Sequence, residues 1–90
     1  NDWVLTVTQL PVWKQGYHSS PESNIQTAGV TVTQGSSTGI LKTTLKCDSG
    51  CDTIVRIQAA PGVTFVSGVG LEVGSKTVDS NNVLTAASAG

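Results

Sequence analysis

Residues 40–59, with the sequence ILKTTLKCDSGCDTIVRIQA, carry the strongest structural signal in the chain. On both sides of residues 48–50, apolar and polar side chains largely alternate, and this period of two is typical of strands with one buried face. A three-residue hairpin loop commonly ends in a left-handed conformation, which Gly50 adopts without a Cβ clash. The stretch therefore predicts an antiparallel hairpin that turns at residues 48–50.

The register of this hairpin follows from placing Cys47 opposite Cys51. The other opposed pairs on the same face are then Leu45 with Thr53, Thr43 with Val55, and Leu41 with Ile57. This face is mostly apolar, and a slip of one residue would scatter its apolar side chains over both faces of the hairpin. The pattern thus favours one register.

The outer face of the hairpin carries its charged residues. Lys46 falls opposite Asp52, and we expect a favourable cross-strand ion pair worth a few tenths of a kcal/mol. Lys42 falls opposite Arg56 in the same register, which predicts a mild repulsion between two cations.

Cys47 and Cys51 are the two cysteines of the chain. An even number in a short chain favours a disulfide formed in an oxidising compartment. Directly opposed strand residues have Cα atoms about 4.5–5.5 Å apart, a separation that a disulfide spans. We therefore predict a disulfide between them, and because the closed loop is very short, it pins the hairpin rather than the whole fold.

Three kinds of active site compete with a structural disulfide here, and each lacks part of its pattern. A redox pair usually has two intervening residues at the start of a helix, whereas three residues separate these cysteines in a strand context. A zinc site needs four ligands, and the chain offers two cysteines and one histidine. Asp48 and Asp52 could offer oxygens to calcium, but two carboxylates in a tight turn are usually just solvated. We expect no metal site.

Strand signals recur along the whole sequence and are separated by turn residues. Further strands are predicted at residues 3–8, 24–28, 30–33, 63–67, 69–73, 76–79 and 83–86. Turns about every 8–12 residues are typical of a sandwich or barrel. No stretch has a sustained period of 3.6, so we expect no long helix.

Three segments carry a family resemblance: VTVT at 30–33, GSSTGILKTTL at 35–45 and PGVTFVS at 61–67. Together, over about residues 30–74, they resemble the immunoglobulin-like repeat domains of bacterial and algal surface proteins. The resemblance implies an Ig-like sandwich and transfers no catalytic residue. We predict an all-β fold, a small antiparallel β-sandwich (Ig-like) of seven to nine short strands, as a single domain over residues 1–90. It has a long polar loop at 14–23 and a flexible tail at 87–90.

Size and composition exclude several classes of protein. A chain of 90 residues and 9.2 kDa has room for one core. Charged residues make up 12% of it, about half the usual share, and the net charge is −1. Nucleic-acid binding needs a basic stripe, whereas the five basic residues are scattered, and no apolar run is long enough to span a membrane. The absence of methionine, together with the cysteine pair, predicts an extracytoplasmic protein (secreted, periplasmic, lumenal or cell-surface) whose leader has been removed.

Catalytic patterns are missing from the sequence. His18 is the only histidine, and Ser19 and Ser20 are too close to it in sequence for the usual triad geometry. There is no Gly-x-Ser-x-Gly nucleophile turn. We expect no catalytic residues, no cofactor and no enzymatic activity.

The few aromatic residues point to the core and to one candidate binding site. Trp3 and Phe65 stand at alternating strand positions, which favours burial in the core. Trp13, Tyr17 and His18 stand at the long polar loop, where aromatic faces beside polar groups suit sugar stacking or a protein contact. The alternative is that Trp13 seals one end of the core.

These observations favour a non-enzymatic structural or interaction module, either surface-displayed or a small accessory subunit of a larger extracytoplasmic assembly. Its partner would be another protein or neighbouring repeats, and uncharged strand edges could join by strand addition. One alternative is a carbohydrate-binding module that uses the loop aromatics. Another is a small secreted effector, toxin or inhibitor.

The disulfide is tested by the intact mass of the unfolded chain after treatment with an alkylating agent. Without reductant we expect no adduct, because Cys47 and Cys51 are oxidised. After reduction we expect two adducts. Two alkylated thiols in the unreduced protein would refute the bridge.

Overall fold

Short strands make up about half of the residues that the computed structural model describes, which are residues 1–8, 25–46 and 51–90. The strands are β1 (Asp2–Val7), β2 (Ile25–Gln26), β3 (Thr31–Gln34), β4 (Ser37–Leu41), β5 (Leu45–Lys46), β6 (Ile54–Gln58), β7 (Leu71–Val73), β8 (Lys76–Val78) and β9 (Val83–Ser88). Within those ranges the only helical segment is a 3-10 turn, Ser80–Asn82. The prediction of an all-β fold with short strands is confirmed.

Seven of the strands form one antiparallel sheet in the order β8-β7-β3-β4-β6-β1-β9. The strands β2 and β5 pair antiparallel in a second, small sheet. This arrangement agrees with the predicted small β-sandwich. The two outer strands of the large sheet are β8 and β9.

The core is built by alternation along each strand. In β6, Val55 and Ile57 are buried, whereas their neighbours Ile54 and Arg56 are exposed. The other buried apolar residues are Leu5, Val7, Val32, Leu41, Leu45, Ala59, Phe65, Leu71, Val73, Val78 and Val83. The core location predicted for Phe65 is confirmed, and the half-buried Trp3 packs on its ring edge to face, with centroids 6.1 Å apart.

The hairpin register predicted from the sequence is confirmed where β4 meets β6. Leu41 pairs with Ile57, and the Lys42 N–H donates to the Arg56 carbonyl at 2.8 Å in the same register. The hairpin is not continuous, however, because β4 ends at Leu41 and Leu45 pairs with Gln26 of β2. Among the described strand pairs, none joins Leu45 to Thr53 or Thr43 to Val55, so these two predicted pairs are wrong. Closer to the turn the predicted register returns, because the Asp52 N–H donates to the Lys46 carbonyl at 2.9 Å.

The charged residues of the hairpin find other partners than those expected. The Asp52 carboxylate accepts a hydrogen bond from the backbone N–H of Lys46 at 3.0 Å, in place of the predicted ion pair between side chains. Lys42 turns to Asp2, whose Oδ2 lies 2.6 Å from its Nζ. This hydrogen bond, followed by the charges of Lys42 and the N-terminus, lowers the pKa of Asp2 below its ordinary value despite an opposing desolvation effect. Both side chains are exposed, so the pair adds little to stability.

The structure corrects two predictions in the second half of the chain. Residues 63–67 are irregular rather than a strand, although Phe65 is buried. At the C-terminus, Ala87 and Ser88 do not form the predicted tail, because they pair with Val4 and Trp3 and complete β9. The predicted long loop at 14–23 lies outside the described residues.

One side-chain amide of the small sheet is buried. Gln26 is 7% exposed, and its Oε1 accepts the Ser75 N–H at 3.2 Å while its Nε2 donates to the Ser75 hydroxyl at 3.3 Å. Gly74 adopts φ +58° beside it, and a Cβ at that position would collide with Gln26 Oε1. The turn between β7 and β8 is therefore held to β2 by one side chain.

We predict that Gly39→Ala lowers the free energy of unfolding by about 1–3 kcal/mol, as overpacking usually does. Gly39 is buried, and a Cβ there would lie 2.5 Å from Ile57 Cγ2 and 2.8 Å from the Gln58 carbonyl oxygen. Urea denaturation measures the effect, with Thr38→Ala on the same strand as the control. A change within about 0.5 kcal/mol of the control would contradict the packing argument.

Candidate interaction surface

A buried glutamine organises one turn of the structure, residues 66–69, which we call the valine turn. Gln34 ends β3 and is 5% exposed. Its Oε1 accepts the Val66 N–H at 2.8 Å, and its Nε2 donates to the carbonyls of Val66 and Val69, both at 2.9 Å. A buried amide needs such partners, and here they come from one segment.

These three hydrogen bonds explain why residues 63–67 do not form the predicted strand. The backbone groups of Val66, which a sheet neighbour would otherwise satisfy, bond to the Gln34 side chain. The sequence gives only a weak signal for this role of Gln34. Gln34 lies on the same face of β3 as the buried Val32, so it is a polar residue at a core position. Its partner, 32 residues away, has no local signature.

The valine turn lies against the start of β9. The Gly68 N–H donates to the carbonyl of Val83 at 2.9 Å. Three residues within two positions of this contact along the chain have exposed aliphatic side chains: Val66 at 45%, Val69 at 43% and Leu84 at 50%. Single exposed aliphatic residues are ordinary, but a group of them is typical of contact surfaces. We call this group the apolar end.

The outer edge of β9 adjoins the apolar end. β9 pairs with β1, and no other described strand pairs with it. The Ala89 N–H donates to the Asp2 carbonyl at 2.8 Å, so by the alternation of an antiparallel ladder Thr85 and Ala87 also bond towards β1. The N–H and C=O groups of Ala86 and Ser88 therefore point away from the sheet.

The two edges of the large sheet differ in how they are protected. Edge strands are normally shortened, charged or bulged, which discourages pairing with other chains. β8 has three residues and includes Lys76. β9 has six residues, and no charged residue occurs between positions 83 and 90.

A bulge affects only the beginning of β9. Thr85 pairs with Thr6 and Val83 pairs with Val7, which leaves Leu84 as the extra residue. A bulge increases local twist and can redirect a side chain, in keeping with the exposure of Leu84. The rest of β9, residues 85–88, keeps a regular register with β1.

Two concave surfaces among the described residues are open to solvent, and each is lined by polar and apolar atoms in similar amounts. One, of about 390 Å³, lies beside β7 and β8 and includes Glu72, Asp79 and Ser80. The other, of about 380 Å³, lies where β4 and β6 diverge and includes Asp52 and Arg56. In the ranges that the structure describes, no three His, Cys, Asp or Glu residues come together as a metal site.

The binding residues predicted from the sequence, Trp13, Tyr17 and His18, lie outside the described residues, so that site stays a prediction. Cys47 lies outside them too, whereas Cys51 is half-buried and packs against the core. No helix among the described residues is both long and apolar enough to cross a membrane.

Comparison with known proteins finds no match: no family model, no curated protein and no solved structure is significantly similar to the chain. The immunoglobulin-like resemblance therefore stays a prediction.

We predict that Gln34→Leu destabilises the protein by about 1–3 kcal/mol, because it leaves one donor and two acceptors of the valine turn without their partner. The Val66 amide should also exchange its hydrogen faster. Chemical denaturation and hydrogen exchange measure the two effects, and Gln58→Leu, at an exposed position of β6, is the control. If the amide hydrogen of Val66 exchanges at the same rate in the variant as in the unmodified protein, the Gln34 side chain does not hold the turn.

Proposed function

We propose that the protein is a non-enzymatic structural or interaction module that joins a larger extracytoplasmic assembly through the edge of β9 and the apolar end. The observation that carries this proposal is an uncharged edge strand, regular over residues 85–88, beside three exposed aliphatic side chains. A surface-displayed module and a small accessory subunit both need such a contact surface.

Strand addition is the type of contact that this edge favours. In strand addition the main-chain hydrogen bonds supply affinity, and alternate side chains supply specificity. Ala86 pairs with the buried Leu5 and is half-buried, so the core layer continues up to the edge. An added strand would cover this incompletely buried position and gain apolar contact there.

The apolar end adds side chains to the same surface. Gln34 fixes the valine turn, so Val66 and Val69 are presented in a set conformation. Preorganised side chains lose little conformational entropy on binding. The fixed conformation of the valine turn therefore favours a role in contacting a protein partner.

An extracytoplasmic location and the Cys47–Cys51 disulfide are part of the proposal. The Asp52 N–H donates to the Lys46 carbonyl at 2.9 Å. This contact supports the hairpin register predicted from the sequence, in which Cys47 and Cys51 are opposed. A bridge there supports a protein made in an oxidising compartment.

The test is site-specific photocrosslinking in the intact cells that produce the protein. A photoreactive benzoylphenylalanine replaces Leu84, and the control carries it in place of Ile40, an aliphatic residue of similar exposure on β4 (46% against 50%). We expect a defined protein adduct at position 84, none at position 40, and recovery of the chain outside the cytoplasm. No adduct at position 84, or the same adducts at both positions, would contradict the proposal.

A further inference from the structure

We propose that β9 pairs antiparallel with β9 of a second copy of this chain, about a two-fold axis at Ala87. This inference rests on the proposed function, since it uses the same edge, and it names the partner. Its basis is the set of backbone N–H and C=O groups of β9 that point away from the sheet.

The outward backbone groups of β9 are self-complementary. The N–H and C=O of Ala86 and Ser88 point away from β1, and Ala87 lies midway between them. A two-fold rotation about Ala87 places Ala86 opposite Ser88 of the second copy, and Ser88 opposite its Ala86. Each opposed pair exchanges two hydrogen bonds in an antiparallel ladder, so this register satisfies all four outward groups on each copy.

Charge selects β9 for this contact and excludes β8. Residues 83–90 carry no charged side chain, so two copies of β9 meet without repulsion and present nothing that would favour a charged partner. If β8 paired with β8 of a second copy, the contact would be three residues long and would include Lys76 from both copies. The two like charges would oppose this pairing.

The side chains of β9 are small enough for the approach. Ala87 meets its own copy at the axis, where opposed Cβ atoms lie about 4.5–5.5 Å apart, and two methyl groups fit that separation. Ala86 lies on the core face beside Leu5, and Ser88 lies beside Trp3. Since the axis is perpendicular to the sheet, the two sheets continue with their core faces on the same side.

The contact is small, which sets the strength of the dimer. The bulge at Leu84 confines regular pairing to about the last four residues of β9. Such a contact buries less than the roughly 1,200–2,000 Å² of standard stable interfaces. The dimer is therefore weak and forms in a concentration-dependent way.

Sedimentation velocity of the whole chain over a concentration series tests the pairing. We expect a monomer–dimer equilibrium in the unmodified protein. Ala87→Lys and Ala87→Glu should each raise the dimer dissociation constant at least about five-fold, because like charges then meet directly opposite each other. An equal mixture of the two variants should recover dimers, since lysine then faces glutamate across the axis.

Thr77→Lys, at an exposed position of the other edge strand, is the matched control and should leave the equilibrium unchanged. Circular dichroism checks that each variant folds. A monomer at all concentrations, a dimer insensitive to both charges at position 87, or a mixture that does not recover would each overturn the inference.

If the chain stays monomeric while Leu84 crosslinks to a different protein, this inference fails and the proposed function stands. If the isolated chain dimerises in this charge-dependent way while position 84 gives no adduct in cells, the pairing stands and the proposed function fails.

Discussion

The pairing of β6 with β4 on one side and β1 on the other holds the large sheet together. Leu41 and Leu5 meet Ile57 and Val55 across these two ladders, and all four side chains are buried. Strands β3, β7 and β8 are attached through β4, and β9 is attached through β1. A change that separates β6 from either neighbour would divide both the sheet and its core.

Two buried glutamine side chains bond to turns that the strand ladders do not include. Gln34 binds the backbone of a turn through both polar atoms of its side-chain amide. Gln26 accepts the backbone N–H of Ser75 and donates to the Ser75 hydroxyl. A small domain has few apolar residues to spare for covering turns, so a glutamine that satisfies backbone groups takes the place of a further strand. In the valine turn this arrangement also leaves Val66 and Val69 exposed.

The asymmetry of the sheet edges connects the fold to the proposed function. The low charge content of the chain leaves β9 without the lysines that usually protect an edge. β8 is protected by its short length and by Lys76. One sheet thus has a closed edge and an edge suited to association, and the apolar end lies beside the second.

The sequence by itself determined the strand class, the alternating core and the register of Leu41 with Ile57, because period-two patterns and turn glycines are local signals. It also marked Phe65 as a core residue and Cys47 and Cys51 as a candidate bridge. Only the tertiary structure decided that Leu45 leaves the hairpin for β2, that Gln34 holds the valine turn, and that β9 is an edge. These features depend on pairings between residues far apart in the chain, and strand order has no signature in any single segment.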